Sequence, residues 1–474
     1  MAQGSQKGVS VLMGFGVLLL TVAPPAFGAH VSASQTVQPA ASAQRECDRL
    51  ANASGDADKV GMGVPLEKIQ VAEALPACQE AVQQSATPHN QFLYGRVLRA
   101  AQRYAEALER LRAAATENYA AASDAIGLMY AGGKGVEKND AEAAVWFQKA
   151  AVAGDTDGMN DYGILLAHGT GAPRNYVEAA DWFRKAAQAG NANGMYDLGW
   201  AFMNGAGVPQ NDTEAASWFR KGAEAGSPQA MSNLGYMYAH GRGVPQDDAE
   251  AIRWYEKAGD VGQAGAVNNI AFMMAHGRDG AESSAAAAAL YMEAAKQGNG
   301  PAMNNLGWMY SHGEGVPQSY KEAADWYRRA AEAGVPAAMT NLATLYALGW
   351  GVHRSYVEAI TWLRQAANAG STDAMTLLGA FYMTGHGVHK DYAESLAWYR
   401  KAAENGDALG MYNVGVMYHD GLGLPRDYAQ AAEWYRKAAG HGLACAQVNL
   451  GFLVQHGLAA RGETGCFQGA TIIT

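Results

Sequence analysis

The sequence predicts an all-α superhelical solenoid of stacked helix-turn-helix units, and three columns of residues carry that prediction. A small residue recurs every 36 positions as Gly127, Gly163, Gly199, Gly235, Ala271, Gly307, Ala343, Gly379, Gly415 and Gly451. In the same register Trp146, Trp182, Trp218, Trp254, Trp326, Trp362, Trp398 and Trp434 align, interrupted at Leu290. Gly154, Gly190, Gly226, Gly262, Gly298, Gly334, Gly370, Gly406 and Gly442 form the third column. A period of about 20 to 50 residues without insertions is the pattern of units that bury their apolar faces against neighbours.

Each unit reads as two helices, A and B. Helix A ends in a loop such as Gly241-Arg242-Gly243-Val244, where glycine tolerates the left-handed backbone that stops a helix. Helix B opens at Asn139, Asn175, Asn211, Asp247, Ser319, Ser355, Asp391 or Asp427, each followed three residues later by Glu or Gln, the spacing of a capping box. It closes at the Gly154 column, where a terminating glycine belongs.

These residues resemble the tetratricopeptide repeat, and more closely its Sel-one-like relative. Leu234-Gly235 with Tyr238, then Ala251, Tyr255 and Ala258, match the tetratricopeptide pattern once four residues are inserted between the helices. That longer loop marks the Sel-one-like variety. The resemblance spans Ala125 to about Gly457. It implies a solenoid that binds partner proteins or peptides and acts in complexes or signalling, without catalysis.

Composition sets the outer limits. The chain has 474 residues, more than one compact core holds, yet a solenoid escapes that limit because each unit packs only on its neighbours. A formal net charge of -10 excludes nucleic acid and anionic membrane surfaces as main partners, since both need clustered Lys and Arg.

Residues 1–28 have the layout of a secretory signal peptide: Lys7, an apolar run from Val9 to Ala23, then Pro24 to Gly28 before a cleavage point at Ala29. An uncleaved anchor is the alternative, but the run is shorter than the ~20 residues a span needs. The chain is therefore expected to be exported, to the periplasm or beyond, with no stable span after cleavage. Residues 29–45 read as a flexible linker rich in Ser, Ala and Gln. Residues 46–124 read as an N-terminal cap. In an exported chain Cys47 and Cys78 suggest a disulfide across a Gly/Asp/Ser-rich segment. Tyr94-Gly95, Ala107, Leu111 and Ala114 form a unit without the inserted loop. Nine full units follow over 125–449, and 450–474 is an incomplete tenth unit or tail. The fifth unit departs from the rest: its loop is Gly277-Arg278-Asp279-Gly280, Leu290 replaces Trp, Ser283 lacks its Glu, and Gly259 and Gly265 threaten helix continuity.

Catalytic and metal chemistry finds little support. The G-x-G triplets follow no strand and complete no phosphate-binding fingerprint. No Ser, Cys or Thr has a recognisable nucleophile setting, and no cofactor motif occurs. His168, His240, His276, His312 and His456 recur just before the loop. Equivalent side chains on helices ~8 to 10 Å apart do not converge on one ion, so these histidines are expected to cap helix C-termini. Cys445 and Cys466 fall near opposite ends of one helix in the repeat register, so a direct bridge needs a tail that leaves the register. The Met and Trp columns are expected to be core.

One column has a functional reading. The residue after the repeat glycine is Trp200, Tyr236, Phe272 and Trp308 in four successive units, and Tyr196, Asn268, Asn304 and Tyr412 share that helix face. In tetratricopeptide-like solenoids helix A lines the concave groove, so the resemblance implies a recognition stripe; the alternative is packing between neighbouring A helices. A cell-envelope enzyme or a binder of glycan or cell-wall fragments using the same groove is the competing function. Cysteine-rich bacterial relatives linked to such ligands carry a disulfide in every repeat, which this chain lacks.

Overall fold

The computed structural model describes residues 39–52, 64–278 and 283–456. The expected signal segment 1–28, most of the expected linker and the tail beyond His456, Cys466 included, lie outside the described residues. Helices account for nearly all regular structure, and they alternate in antiparallel pairs.

Four helices precede the long units: α1 (Pro39–Ala51), α2 (Val71–Gln84), α3 (Pro88–Ala100) and α4 (Tyr104–Thr116). α1 starts inside the stretch expected to be linker, because Ala43, Cys47, Leu50 and Ala51 put an apolar stripe on one side of it that packs into the cap. Cys47 and Cys78 are both fully buried and form a disulfide with their Cα atoms 4.7 Å apart. Their sulfurs join the cluster of Leu50, Ile69, Ala74, Leu93 and Val97.

The repeats follow as A/B pairs: α5 (Ala120–Gly132) with α6 (Asp140–Val152), α7 (Thr156–His168) with α8 (Tyr176–Gln188), α9 (Ala192–Asn204) with α10 (Asp212–Glu224), α11 (Pro228–His240) with α12 (Asp248–Asp260), and α13 (Ala264–Ala275) with α14 (Ser284–Lys296). The series continues through α15 (Gly300–His312) with α16 (Tyr320–Glu332), α17 (Pro336–Leu348) with α18 (Tyr356–Asn368), α19 (Thr372–Thr384) with α20 (Tyr392–Glu404), and α21 (Ala408–Asp420) with α22 (Tyr428–Gly440), and ends at α23 (Ala444–His456).

The repeat glycine exists to let the two helices of a unit touch. A Cβ on Gly235 would lie 2.8 Å from the Tyr255 ring, and one on Gly163 would lie 2.6 Å from Phe183. The anchors are therefore Phe147, Phe183, Phe219, Tyr255, Tyr291, Tyr327, Leu363, Tyr399 and Tyr435, all buried. The neighbouring tryptophan column is not the core that the sequence suggested. Apart from Trp326 its indoles are half-buried, and at Trp146, Trp182, Trp218, Trp254, Trp398 and Trp434 a Lys three residues on lies over the ring, whereas Trp362 has Gln365 there. Lys185 Nζ is 3.7 Å from the Trp182 centroid and Lys221 Nζ 4.0 Å from that of Trp218.

The loop glycines serve contacts between units. Gly243 has φ +67°, and a Cβ there would meet the Asp212 carbonyl oxygen of the preceding unit at 2.0 Å. Only half of each expected capping box forms. Asp247 accepts from the Glu250 amide at 3.0 Å, but its own amide donates to the Tyr238 carbonyl of helix A at 3.0 Å instead of to Glu250. The same amide-to-helix-A bond recurs at Asn139, Asn175 and Asn211, so the cap residue also closes the loop.

The fifth unit keeps its helices. α12 runs through Gly259 and α13 contains Gly265, so continuity is not lost at either glycine. α13 is 12 residues long where its counterparts have 13: it ends one residue early, at His276 (φ -105°), before Gly277 takes the left-handed backbone of the equivalent glycines, with φ +66°. Residues 279–282 of its loop lie outside the described residues.

Candidate functional site

Successive A helices touch one another at α5–α7, α7–α9, α9–α11, α13–α15 and α19–α21, whereas among the described residues no B helix comes comparably close to the next B helix. The A helices therefore form the inner, concave side. Its floor is built from positions counted from the repeat glycine: one before-column of polar residues, and one after-column of rings.

The ring column reaches solvent. Trp200, Phe272 and Trp308 are 38%, 45% and 41% exposed, and Tyr236 is half-buried. Each of the last three units stacks its ring on the histidine four residues later, with centroids 4.1 Å apart for Tyr236–His240, 4.1 Å for Phe272–His276 and 4.2 Å for Trp308–His312. The imidazoles donate from Nδ1 to the carbonyl of the same aromatic residue, at 2.9, 2.8 and 2.9 Å. The histidines thus cap the helix as expected and also hold the rings in one orientation; Asn204 donates to the Trp200 carbonyl at 2.9 Å in the same place.

The polar column is a ladder that joins units. Asn305 Nδ2 donates to Asn268 Oδ1 at 3.1 Å, and Asn341 Nδ2 donates to Asn304 Oδ1 at 3.0 Å, both across 37 residues. Asn268 and Asn304 are consequently engaged in holding A helices side by side. Tyr412 departs further from the groove reading. It is 4% exposed, its ring lies 5.5 Å from that of Tyr435, and its hydroxyl accepts from Asn449 Nδ2 at 3.2 Å, so it packs between the last units.

Sequence reasoning passed over the second member of each rung: Asp161, Asp197, Asn233, Asn269, Asn305, Asn341 and Asn449. Their recurrence 36 positions apart was the available signal. Asn269, Asn305 and Asn449 also stand against the phenols of Tyr255, Tyr291 and Tyr435 on the preceding B helix, where they oppose the upward push that burial gives each phenol. Where the rung is Asp161 or Asp197, the equivalent B-helix residue is Phe147 or Phe183, which has no hydroxyl to offer.

Those two aspartates change the electrostatics of the N-terminal half of the groove. Burial, and then the carboxylates of Asp157, Asp155 and Asp197, push Asp161 up to about 7. Burial pushes Asp197 up to about 6, opposed by the Asn160 amide and by His168. Asp124, 37 residues before Asp161 and so the other position of its rung, is raised by burial and then by Asp161, with Arg99 working against it. An open cavity of about 310 Å³ lies here between α7, α8 and α9. Tyr176, Phe183, Tyr196 and Trp200 wall it, with Asp197 and His168 at its polar side.

Among the described residues no group of three or more His, Cys, Asp or Glu is placed to hold a metal ion. No helix among them is long and apolar enough to cross a membrane.

The Sel1 repeat model matches residues 120–155, 156–191, 192–227, 228–262, 300–335, 336–371, 372–407 and 408–443. It passes over the divergent fifth unit. The chain is similar to the crystal structure of a protective antigen present in uropathogenic Escherichia coli strains, described as displaying an SLR fold. That likeness has 32% identity, covers 84% of this chain and 85% of that one, and has a TM-score of 0.50. It is also similar to a Sel1 repeat protein from Oxalobacter formigenes, at 32% identity over 65% of this chain and 90% of that one, TM-score 0.49. No curated protein matches it. Eight matched units over more than half of its length show that the chain belongs to the Sel1 repeat family.

Proposed function

We propose that this protein is an exported, non-catalytic scaffold or regulatory adaptor whose concave face holds an extended segment of a protein partner. The observation that carries the reading is the row Trp200, Tyr236, Phe272 and Trp308, four rings on successive A helices that stay accessible in an otherwise well-packed array. Rigid aromatic side chains lose little freedom on binding and dominate interface energetics. Solenoids of this kind generally serve protein–protein interaction, and their curvature offers an extended surface. Export is supported by the buried Cys47–Cys78 disulfide, which an oxidising compartment favours, and by the layout of residues 1–28. The bacterial envelope is the corresponding location.

The test is capture from an envelope extract with the wild-type protein and with the Trp200→Ala/Trp308→Ala variant, beside titration with cell-wall fragments. A protein retained by the first and lost by the second supports the scaffold. Saturable binding of the fragments, abolished by the same substitutions, would replace it with a glycan-binding function, which exposed rings also suit.

A further inference from the structure

The groove is not uniform along its length. From α13 to α17 its rungs are amides that satisfy one another, whereas at α5, α7 and α9 they include Asp124, Asp161 and Asp197. The groups that set the state of Asp161 are burial and three more carboxylates. A side-chain oxygen of Asp124 is buried without a hydrogen-bond partner among the described residues, as is the side-chain oxygen of Asn160, both residues being more than nine-tenths buried. Against Asp124 stands Arg99; the basic group bearing on Asp197 is His168, whose Nδ1 is already engaged with the Ile164 carbonyl at 2.9 Å. This end of the groove therefore gathers carboxyls that burial and mutual repulsion push toward the protonated form, with little basic charge of the protein's own set against them.

The cavity opens beside those carboxyls. At about 310 Å³ it stands at the small end of the ~300 to 1,000 Å³ typical of ligand pockets, the scale of one side chain. Its walls are the rings of Tyr176, Phe183, Tyr196 and Trp200, and Asp197 is its carboxylate. Aromatic faces attract a cation and cover an aliphatic stem, while a carboxylate accepts paired N–H donors. Guanidinium suits both demands better than ammonium, because it is planar, weakly hydrated and stacks on rings.

We propose that this cavity receives an arginine side chain of the partner, so that the bound segment is basic where it crosses α7 and α9. The inference rests on the groove reading above and adds the chemistry of the partner to it. The net charge of -10 would steer such a segment toward the protein.

The experiment uses fluorescein-labelled pools of short peptides with random flanks and a fixed central Arg, Lys, Gln or Leu, titrated against the full protein by fluorescence polarisation. The Arg-centred pool is expected to bind about tenfold or more tighter than the Gln-centred pool. Asp197→Asn, which introduces the residue type found at Asn233 in the same column, should erase that preference with unchanged helicity; Asp161→Asn should reduce it. Trp308→Ala, remote from the cavity, should weaken all pools alike. Equal binding of the Arg and Gln pools, or an Arg preference that survives Asp197→Asn, overturns the arginine anchor. If pools bind equally and Trp308→Ala still weakens them, the anchor fails while the groove reading stands. If no pool binds, the anchor is overturned and envelope capture alone decides the groove.

Discussion

The Asn341 side-chain amide donates to the Asn304 side-chain oxygen at 3.0 Å, joining α17 to α15 across 37 residues of sequence. The bond lies on the groove floor and links equivalent helices of successive units, so it sets how far each A helix is displaced from the last. A double-mutant cycle of Asn304→Ala and Asn341→Ala, read by urea unfolding, should give a coupling of about 0.5 to 1.5 kcal/mol. Additive effects would mean that the ladder is incidental to stacking.

The contact between Gly235 and the Tyr255 ring predicts opposite outcomes for two glycine substitutions. Gly235→Ala puts a methyl 2.8 Å from a fully packed ring and should cost about 1 to 3 kcal/mol. Gly440→Ala, at the end of α22 with nothing within 4 Å of the new methyl, should be neutral or stabilise by up to about 1 kcal/mol. Chemical unfolding of both variants checks the pair, and a harmless Gly235→Ala would refute the close-approach account.

Asp161 makes stability fall as pH rises. Its ordinary value is 3.8, and in the folded protein it is pushed up to about 7 by burial and by Asp157, Asp155 and Asp197, with Asp124 on the adjacent α5. Between those values the folded chain holds the extra proton, so the slope of stability with pH is negative, and the destabilisation is complete above about 7. Asp161→Asn should therefore stabilise by about 1 to 3 kcal/mol near pH 8 and by much less near pH 4. Urea unfolding of both forms at the two pH values tests this, and an equal effect at both would remove the ionisation from the explanation.

The fifth unit should open first. α13 is a residue short, Ser283 lacks its Glu, and Leu290 replaces the tryptophan. In a linear array stability is a sum of local and nearest-neighbour contributions, so the weakest unit exchanges fastest. Amide hydrogen exchange is expected to be faster in α13 and α14 than in α15 and α16. Equal protection in the two units contradicts a soft point.

Nearly all of the fold was legible because one unit is written nine times, and each glycine column specifies a turn or a close helix contact. The errors came from reading columns singly. Trp182 and its equivalents were assigned to the core as an aligned apolar column, although Lys185 three residues on covers the Trp182 ring from outside, leaving the adjacent Phe183 as the anchor. Tyr412 shares a column with Asn268 and Asn304, yet at the end of the array it turns inward onto Tyr435. The rungs depend on a relation between columns offset by 37 residues, as in Asn268 with Asn305, which no single unit contains. The acidic stretch was legible only as two aspartates in a column of asparagines. Its meaning needed the burial that the helices impose.

The central claim, that the exposed rings recognise a partner and do not hold the fold together, is tested most directly by the Trp200→Ala/Trp308→Ala variant. Its thermal unfolding is to be compared with that of Phe219→Ala, which removes a fully buried ring. Phe219→Ala should cost about 3 to 5 kcal/mol, while the double variant should melt close to the wild type and lose roughly thirtyfold in affinity for the captured partner. A melting loss as large as that of Phe219→Ala, or undiminished affinity, would contradict the account.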